Sequence, residues 1–204
     1  MDYTDTYKIL GAEAEGVYKE KGSKFIAYAF PVKTEEQIKS ITLKLKKVHH
    51  SARHHCFAWK LGTEIQTFRV NDDGEPSGTA GRPILGQINL LQLTDTLIVV
   101  VRYFGGVLLG TSGLSHAYKQ AAANALENGN IIEKIIESVI EIKFDYLAMN
   151  ELMTILKEFG LELIESNFDL ACQVKISVRK DLKTILLNKL EKSGKFSPIV
   201  IIDN

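Results

Sequence analysis

Cysteine is scarce in this sequence. Its two cysteines, Cys56 and Cys172, stand far apart, so they do not form the disulfide framework of a small secreted domain. The start of the chain has no basic stretch followed by an apolar run, which is the pattern of a signal peptide. The longest apolar run, 97–101, is far shorter than the ~20 residues that span a bilayer. We therefore expect a soluble cytoplasmic protein that does not enter a membrane.

The sequence also lacks an excess of charge of either sign. Lys and Arg together number 25, as do Asp and Glu, so the formal net charge is zero. This balance argues against a protein that coats nucleic acid by bulk charge, but it leaves room for a local basic face. Hydrophobic residues make up 45% of the chain, which is enough to bury a core and argues against a disordered chain.

The first part of the chain predicts strands mixed with helices. Thr34 and Gln37 have the spacing of a capping box, and apolar residues at helical spacing follow them, so a helix is predicted over 35–49. Residues 54–61 alternate like a strand, and the apolar β-branched run within 96–104 predicts a buried strand. Further strands are predicted at 17–19, 25–32 and 65–70, and helices at 82–93 and 114–126, the last with a face of small residues that can pack close to a sheet.

The rest of the chain predicts the order β-α-β-β-α-β, which is that of ferredoxin-like domains. Strands are predicted at 139–144, 161–168, 170–178 and 196–202, and helices at 147–159 and 182–190. Near 131–137 the chain leaves one helix-on-sheet unit and starts another. We therefore predict an α+β protein with two domains, residues 1–132 and 133–204.

A glycine-rich turn follows the buried strand, at 105–113. Because a helix N-terminus carries unpaired N–H groups and glycine lets a backbone approach a phosphate closely, this turn is a candidate anion site. It is not a true phosphate loop, since Thr111 stands where that motif needs lysine. The alternative is that the glycines only permit a sharp turn and tight helix packing. The candidate residues are Arg102, Tyr103, Gly105, Gly106, Gly110, Thr111, Ser112 and Gly113.

The segment 71–81 consists of turn-forming residues and is acidic. Its carboxylates could bind a divalent cation, but the spacing is not that of a calcium loop. The sequence favours a structured turn whose acids cap backbone N–H groups. A third interpretation is a partner-binding loop that packs on the glycine-rich turn. The candidate residues are Asp72, Asp73, Glu75, Ser77 and Thr79.

Histidines cluster around Cys56. Zinc needs about four converging ligands, and strand alternation sends His54 and Cys56 to one face but His55 to the other. A Cys–His nucleophilic pair needs an exposed, activated thiol, whereas an apolar strand more often buries an inert cysteine. We therefore predict no metal site and no cofactor.

The stretch 33–60 is locally basic. Its lysines and nearby Trp59 are compatible with a nucleic-acid face that combines phosphate contacts with stacking. A solvated amphipathic helix is the commoner meaning of such lysines. The nucleic-acid candidates are Lys39, Lys44, Lys46, Arg53 and His54.

Several of these segments together resemble the YigZ/IMPACT family. The defining stretch runs from 86–88 through 96–110, which ends in Arg-Tyr-Phe-Gly-Gly-Val-Leu-Leu-Gly, and a second hallmark is the Asp-Asp-Gly-Glu-Pro-Ser-Gly-Thr-Ala-Gly run at 72–81. Two shorter matches lie at 23–25 and 52–58. The resemblance covers essentially the whole chain.

The resemblance implies more than the residues do. It implies that the N-terminal domain has the β/α sandwich of the second domain of a small-subunit ribosomal protein, a fold also found in elongation factor G and in small-molecule kinases. It implies a C-terminal domain similar to the last domain of elongation factor G. Eukaryotic relatives regulate translation initiation by blocking activation of a stress kinase through a shared scaffold protein.

This chain departs from the family pattern after the turn. Where the family has Gly-Ala-Gly-Gly-Leu, this chain has Gly-Thr-Ser-Gly-Leu at 110–114, and His116 stands where a basic residue is usual. The departure puts anion affinity in doubt, although Ser112 could act as the N-cap of the helix.

Three functional hypotheses remain. The first is a non-enzymatic, translation-associated regulatory protein that binds RNA, the ribosome or a protein partner. The second is a small-molecule or nucleotide-phosphate-binding enzyme that uses the turn at 105–113. The third is a metal-dependent hydrolase built on Asp72, Asp73 and His54.

Overall fold

The computed structural model describes residues 5–63, 65–168 and 172–203. Within them the chain divides into two compact units, one comprising Tyr7–Lys134 and the other Asp5 and Thr6 together with residues from Ile135 onward. The architecture is mixed α and β in both. The strands are β1 Thr6–Leu10, β2 Ala14–Glu20, β3 Ser23–Pro31, β4 His54–Leu61, β5 Thr67–Asn71, β6 Thr96–Tyr103, β7 Ile131–Ile135, β8 Glu137–Phe144, β9 Leu163–Asn167, β10 Cys172–Arg179 and β11 Phe196–Asp203. The helices are α1 Glu35–Val48, α2 Gly81–Leu90, α3 Gly110–Glu127, α4 Met149–Glu158 and α5 Lys180–Ser193, with a short 3-10 turn at Tyr146–Ala148.

The larger unit is built on a five-stranded antiparallel sheet in the order β2-β3-β6-β4-β5. Its central strand β6 is buried on both faces, which explains why its sequence is apolar without alternation. Ile98 and Val100 join a core shared with α2 and α3, whereas Leu97 and Val99 join a core shared with α1. The sheet is therefore sandwiched between two helices on one face and one helix on the other.

Helix α3 packs very closely on edge strand β2. A Cβ added to Gly16 would lie 2.2 Å from the backbone nitrogen of Ala125, so only glycine fits at this crossing. The contact face of α3 includes the small residues Ala117, Ala121 and Ala125, which confirms the prediction from its small-residue face.

The smaller unit has the order β8-α4-β9-β10-α5-β11 that the sequence predicts. Its four strands lie side by side as β11-β8-β10-β9, and all neighbours are antiparallel. The alternate residues Ile140 and Ile142 of β8 pack with Leu152 of α4 and Leu186 of α5 in one core. The carboxylate of Asp5 accepts two hydrogen bonds from Arg179, at 2.8 and 3.0 Å.

Several element predictions were wrong in detail. Strands β1 and β7, which pair with each other, were not predicted. Helix α3 begins at Gly110, four residues before the predicted start, so Leu109 is its N-cap and the expectation that Ser112 caps it was wrong. Helix α2 ends at Leu90 rather than 93. The strand predicted at 170–178 starts outside the described residues, and its described part is β10.

Candidate functional site

The acids of the 72–80 loop turn inward. The carboxylate of Asp72 accepts hydrogen bonds from the backbone N–H groups of Gly78, Ala80 and Gly81 at 2.8, 3.0 and 2.8 Å. The carboxylate of Asp73 accepts from the backbone N–H of His55 at 2.7 Å and from Lys46 Nζ at 3.1 Å. The loop is therefore a structured turn whose acids cap backbone amides, as the sequence favoured.

These bonds set the charge state of both aspartates. Partial burial by itself raises the pKa of a carboxyl group. The three amides that bond to Asp72 outweigh this effect, and at Asp73 the His55 amide together with the Lys46 ammonium does so, so both pKa values lie below the usual range. Both side chains are therefore ionised at neutral pH.

Glu75 lies at the centre of a buried polar chain. Its Oε1 accepts hydrogen bonds from Arg102 Nη1 at 2.6 Å and from the Tyr118 hydroxyl at 2.8 Å. Cys56 continues the chain, since its thiol donates to the Asp72 carbonyl at 3.0 Å and lies 3.3 Å from the Tyr118 hydroxyl oxygen. Only 6% of the Arg102 side chain and 3% of the Glu75 side chain are exposed, so the charge of Arg102 is neutralised inside the protein.

This environment removes Cys56 as a nucleophile. Burial raises the pKa of its thiol far above neutral pH, and the residue is fully buried. Since the thiolate is the reactive form, the cysteine is an inert member of the core.

The glycine-rich turn has two kinds of glycine. Gly105 is packed against the backbone of Gly22, where a Cβ would come within 1.9 Å, and its N–H donates to Ser23 Oγ at 3.1 Å. By contrast, a Cβ on Gly106 or Gly110 would meet nothing within 4 Å, and their φ angles are +87° and +70°. Gly105 thus packs against neighbouring backbone, whereas Gly106 and Gly110 are open to solvent.

A cavity of about 310 Å³ lies where the turn meets α3. Its lining includes Arg53 and Arg102, Pro76 and Glu75 from the acidic loop, and Gly110 and Thr111 from the first turn of α3. The guanidinium of Arg53 lies 5.5 Å from the centre of the Phe104 ring. The structure therefore brings part of the predicted anion set and part of the predicted partner loop to one place.

Other predicted residues lie apart from this cavity or serve the fold. The Tyr103 hydroxyl bonds to His49 Nδ1 at 2.8 Å, and the Tyr28 hydroxyl lies 2.9 Å from His49 Nε2. Thr79 is buried and donates to the Pro76 carbonyl at 2.6 Å. Among the predicted residues, Ser77 and Ser112 are exposed and Gly113 is half-buried.

The predicted nucleic-acid residues fall on two surfaces. Lys39, Lys44 and Lys46 lie on α1, whereas Arg53 and His54 lie at the 310 Å³ cavity. His54 Nδ1 donates to the Asp73 carbonyl at 2.8 Å, so Nε2 is the nitrogen left to face Glu75 Oε1, 3.8 Å away.

The histidine–cysteine cluster does not converge. Cys56 points into the core shared with α3, and His55 is buried, with its Nε2 lacking a hydrogen-bond partner. Desolvation lowers the pKa of His55, so its ring is neutral at pH 7. Within 5–63, 65–168 and 172–203, no three His, Cys, Asp or Glu side chains gather in a way that could hold a metal ion.

Sequence reasoning missed two features of this region. No polar role was predicted for Tyr118 of α3, although its hydroxyl bonds to Glu75. Arg69 of β5 was not considered, but it lies with Lys39 and Lys46 along one groove. A signal for Tyr118 exists, because one large polar-tipped residue stands on a helix face that is otherwise mostly small.

In the described part of the chain, no helix combines the length and the apolar character needed to cross a bilayer.

Comparison with known proteins identifies the family. The model of the Impact N-terminal domain matches residues 21–126. The chain is 36% identical to the IMPACT family member YvyE of Bacillus subtilis, over 72% of this chain and 67% of YvyE. It is 32% identical to the IMPACT family member YigZ of Escherichia coli, over 80% and 81% of the two chains.

A solved structure covers nearly the whole chain. It is a crystal structure described as that of a hypothetical protein, with a TM-score of 0.69 and 28% identity, and the match covers 98% of this chain and 99% of the other. The two-unit fold thus recurs in an experimental structure. On this evidence, and as its sequence motifs imply, the chain belongs to the IMPACT family.

Proposed function

We propose that this protein is a translation-associated regulatory protein that acts by binding, and that exposed lysines of α1 contact the phosphates of ribosomal RNA. The observation that carries the proposal is the orientation of charge around α1. The acids of the neighbouring loop are turned inward, whereas the lysines of the helix face solvent.

The lysines of α1 are available for binding because the acids of the neighbouring loop are already hydrogen-bonded to other groups. Asp72 and Asp73 bond to backbone amides, and of the α1 lysines only Lys46 reaches one of them. Lys39, Lys44 and Lys47 are exposed and form no salt bridge with any described residue. A protein of zero net charge therefore presents a local cationic surface, which suits phosphate contacts.

The states of Arg102 and Cys56, in the buried hydrogen-bonded network around Glu75, favour binding over catalysis. Arg102 is neutralised by Glu75, and burial raises the pKa of Cys56. Neither group is in a state that attacks a substrate or accepts a proton from one.

The family supplies the translational setting. Its eukaryotic members act on translation initiation, as the sequence resemblance implies. We further propose that the unit Tyr7–Lys134, close to the predicted bounds 1–132, is the ribosomal-protein-like domain, and that the unit from Ile135 onward, close to the predicted bounds 133–204, is the ferredoxin-like domain. The strand order β11-β8-β10-β9 supports the second assignment. Likeness of fold does not by itself establish function, so a binding experiment has to decide.

The test is co-sedimentation with ribosomes over a series of salt concentrations. We expect binding that weakens steeply with salt, because each phosphate contact releases counterions. Changing Lys44→Glu together with Lys47→Glu should weaken binding about tenfold or more and reduce the salt slope by about two. The matched control is Lys19→Glu with Lys119→Glu, which reverses two exposed charges on β2 and α3 and should leave binding unchanged.

Two results would overturn the proposal. One is that no ribosome or RNA is retained at low to moderate salt. The other is that the α1 variant and the control bind equally well, since the lysines of α1 would then play no part.

A second candidate function is binding of a phosphorylated small molecule at the 310 Å³ cavity. It is favoured by the position of Arg53 and by the start of α3, whose N-cap Leu109 makes no side-chain capping hydrogen bond. A thermal-shift screen of nucleotides and phosphorylated metabolites tests it. A shift that Arg53→Glu abolishes and Lys24→Glu preserves would support this candidate, and the absence of any shift would remove it.

A further inference from the structure

The two edges of the five-stranded sheet differ in whether side chains cover their backbone hydrogen-bonding groups. At the β2 edge, two amide side chains cover the backbone. Asn124 of α3 donates from Nδ2 to the Val17 carbonyl, and Asn128, the C-cap of α3, donates from Nδ2 to the Glu15 carbonyl, each at 2.9 Å. At the β5 edge, no described side chain bonds to the backbone, and among the described strands β5 pairs with β4 alone. An uncovered edge is a template for another strand.

A groove of about 580 Å³ runs beside the β5 edge, between that strand and α1. Its apolar lining includes Ile38, Phe57 and Trp59. Lys39, Lys46 and Arg69 supply positive charge, while Glu35 and Glu36 line the end at the start of α1. Lys46 is paired with Asp73, whereas Lys39 and Arg69 have no ion-pair partner among the described residues.

The register of β5 decides what an added strand would meet. Arg69 is paired with Trp59, which packs in the core shared with α1, so Arg69 lies on the α1 face of the sheet. Val70 is paired with Ala58 and packs in the core shared with α2 and α3. Since side chains alternate along a strand, Phe68 lies on that second face, where 64% of it is exposed.

We propose that the β5 edge and this groove bind an extended peptide segment of a partner protein, with alternating acidic and apolar residues, as a sixth strand of the sheet. Backbone hydrogen bonds to β5 would supply affinity, and the alternating side chains would supply specificity. The acidic side chains point into the groove toward Lys39 and Arg69. The apolar side chains lie on the other face against Phe68. Lys39 belongs to both this groove and the cationic surface of α1, whereas Lys44 and Lys47, which test the RNA contact, do not line the groove.

The lining of the groove favours a peptide over RNA. Glu35 and Glu36 line one end of the groove, where a phosphate backbone, charged at every nucleotide, would be repelled, whereas a peptide can end its acidic residues at Lys39 and Arg69 and place a neutral residue there. Trp59 is only 4% exposed, so it cannot offer its ring face to a base, as single-strand binders do. A peptide strand needs neither a uniform positive surface nor an exposed ring.

The first experiment uses a short peptide of alternating glutamate and valine, labelled for fluorescence anisotropy. Trp59 is the single tryptophan of the chain, so a change in its emission locates the peptide in the groove. We expect Lys39→Glu with Arg69→Glu to weaken binding at least about tenfold, which corresponds to about 1.4 kcal/mol. Lys44→Glu with Lys47→Glu is the matched control on the outer face of α1 and should preserve affinity.

The second experiment tests strand addition itself. Two versions of the peptide carry N-methyl groups on alternate amides, one version for each phase of the alternation. The version methylated on the amides that face β5 should lose binding, and the other should keep it, because their side chains are identical. Equal binding of both versions would overturn strand addition.

Other outcomes also overturn the proposal. They are failure of the peptide to bind, equal binding to the Lys39/Arg69 variant, and a response of Trp59 to an oligouridylate but not to the peptide. None of these bears on the ribosome experiment, whose decisive variant changes different lysines. Failure of one proposal is therefore distinguishable from failure of the other.

Discussion

Glu75 connects three elements of the larger unit through a single carboxylate oxygen. That oxygen accepts from Arg102 at the end of β6 and from Tyr118 in the middle of α3, while Glu75 itself belongs to the loop before α2. Because Arg102 and Glu75 are both almost fully buried, neither can turn to water if its partner is lost. A buried ion pair of this kind is costly to break from one side.

We therefore expect Glu75→Ala to lower the free energy of unfolding by about 3–5 kcal/mol, measured by urea denaturation. Exposed Glu13 provides the control, and Glu13→Ala should change stability by less than about 0.5 kcal/mol. The double variant Glu75→Leu with Arg102→Met should recover much of the loss, because it removes both charges together. A double variant as unstable as Glu75→Ala would contradict this account.

Asp72 makes the stability of the loop depend on pH. Its pKa in the folded protein is held below that of an ordinary aspartate, since three amide bonds outweigh the effect of burial. Because the pKa of Asp72 is lower in the folded protein than in the unfolded chain, the stability that its carboxylate contributes is complete above the unfolded pKa of about 3.9. That stability is lost as the pH falls through the folded pKa.

Asp72→Ala should thus cost about 1–3 kcal/mol at pH 7, and the difference from the unmodified protein should shrink below about pH 4. Urea denaturation at a series of pH values measures it. Asp145 is an exposed control whose side chain makes no capping hydrogen bond, and Asp145→Ala should show no such trend. A difference for Asp72→Ala that stays constant down to pH 3 would rule out the carboxylate as the cause.

At the scale of elements, the crossing of α3 over β2 depends on the absence of a side chain. We expect Gly16→Ala to destabilise the protein by at least about 1–3 kcal/mol, since the new methyl group would push against helix backbone that cannot rotate away. Gly86 is a matched control inside α2, where a Cβ meets nothing within 4 Å. Gly86→Ala should stabilise the protein by up to about 1 kcal/mol, and thermal unfolding of both variants checks the opposite signs.

At the scale of the whole molecule, each compact unit has its own hydrophobic core. The cores on the two faces of the larger sheet belong to one unit, and the core around Ile140 and Leu152 belongs to the other. Asp5 is part of the smaller unit through its two bonds with Arg179, which also lower the pKa of Asp5.

Calorimetry should therefore resolve two unfolding transitions. Asp5→Asn should lower the midpoint of one transition, because the neutral amide loses the charged pair with Arg179, and it should leave the other in place. Glu75→Ala should lower the midpoint of the other transition, that of the larger unit, and leave the transition of the smaller unit in place. A single transition that both variants shift equally would show that the units do not unfold separately.

The sequence by itself determined the elements that have strong local signals. Thr34 caps the start of α1 as predicted, and its side chain accepts a hydrogen bond from the Gln37 N–H. Strand β4 was predicted with its observed bounds, and the βαββαβ order of the second half was correct. In each case the pattern depends on neighbours within a few residues, so a single sequence contains it. The long motifs likewise identified the family.

Only the tertiary structure decided which charges remain available. Arg102 and the acids of the 72–80 loop look equally free in the sequence, yet their partners lie 27 residues apart for Arg102 and Glu75 and 18 apart for Asp73 and His55. The same holds for the groove, since Arg69 and Lys39 become neighbours through the packing of α1 on the sheet. Long-range pairing sets burial, and burial decides whether a charge serves the fold or faces a partner.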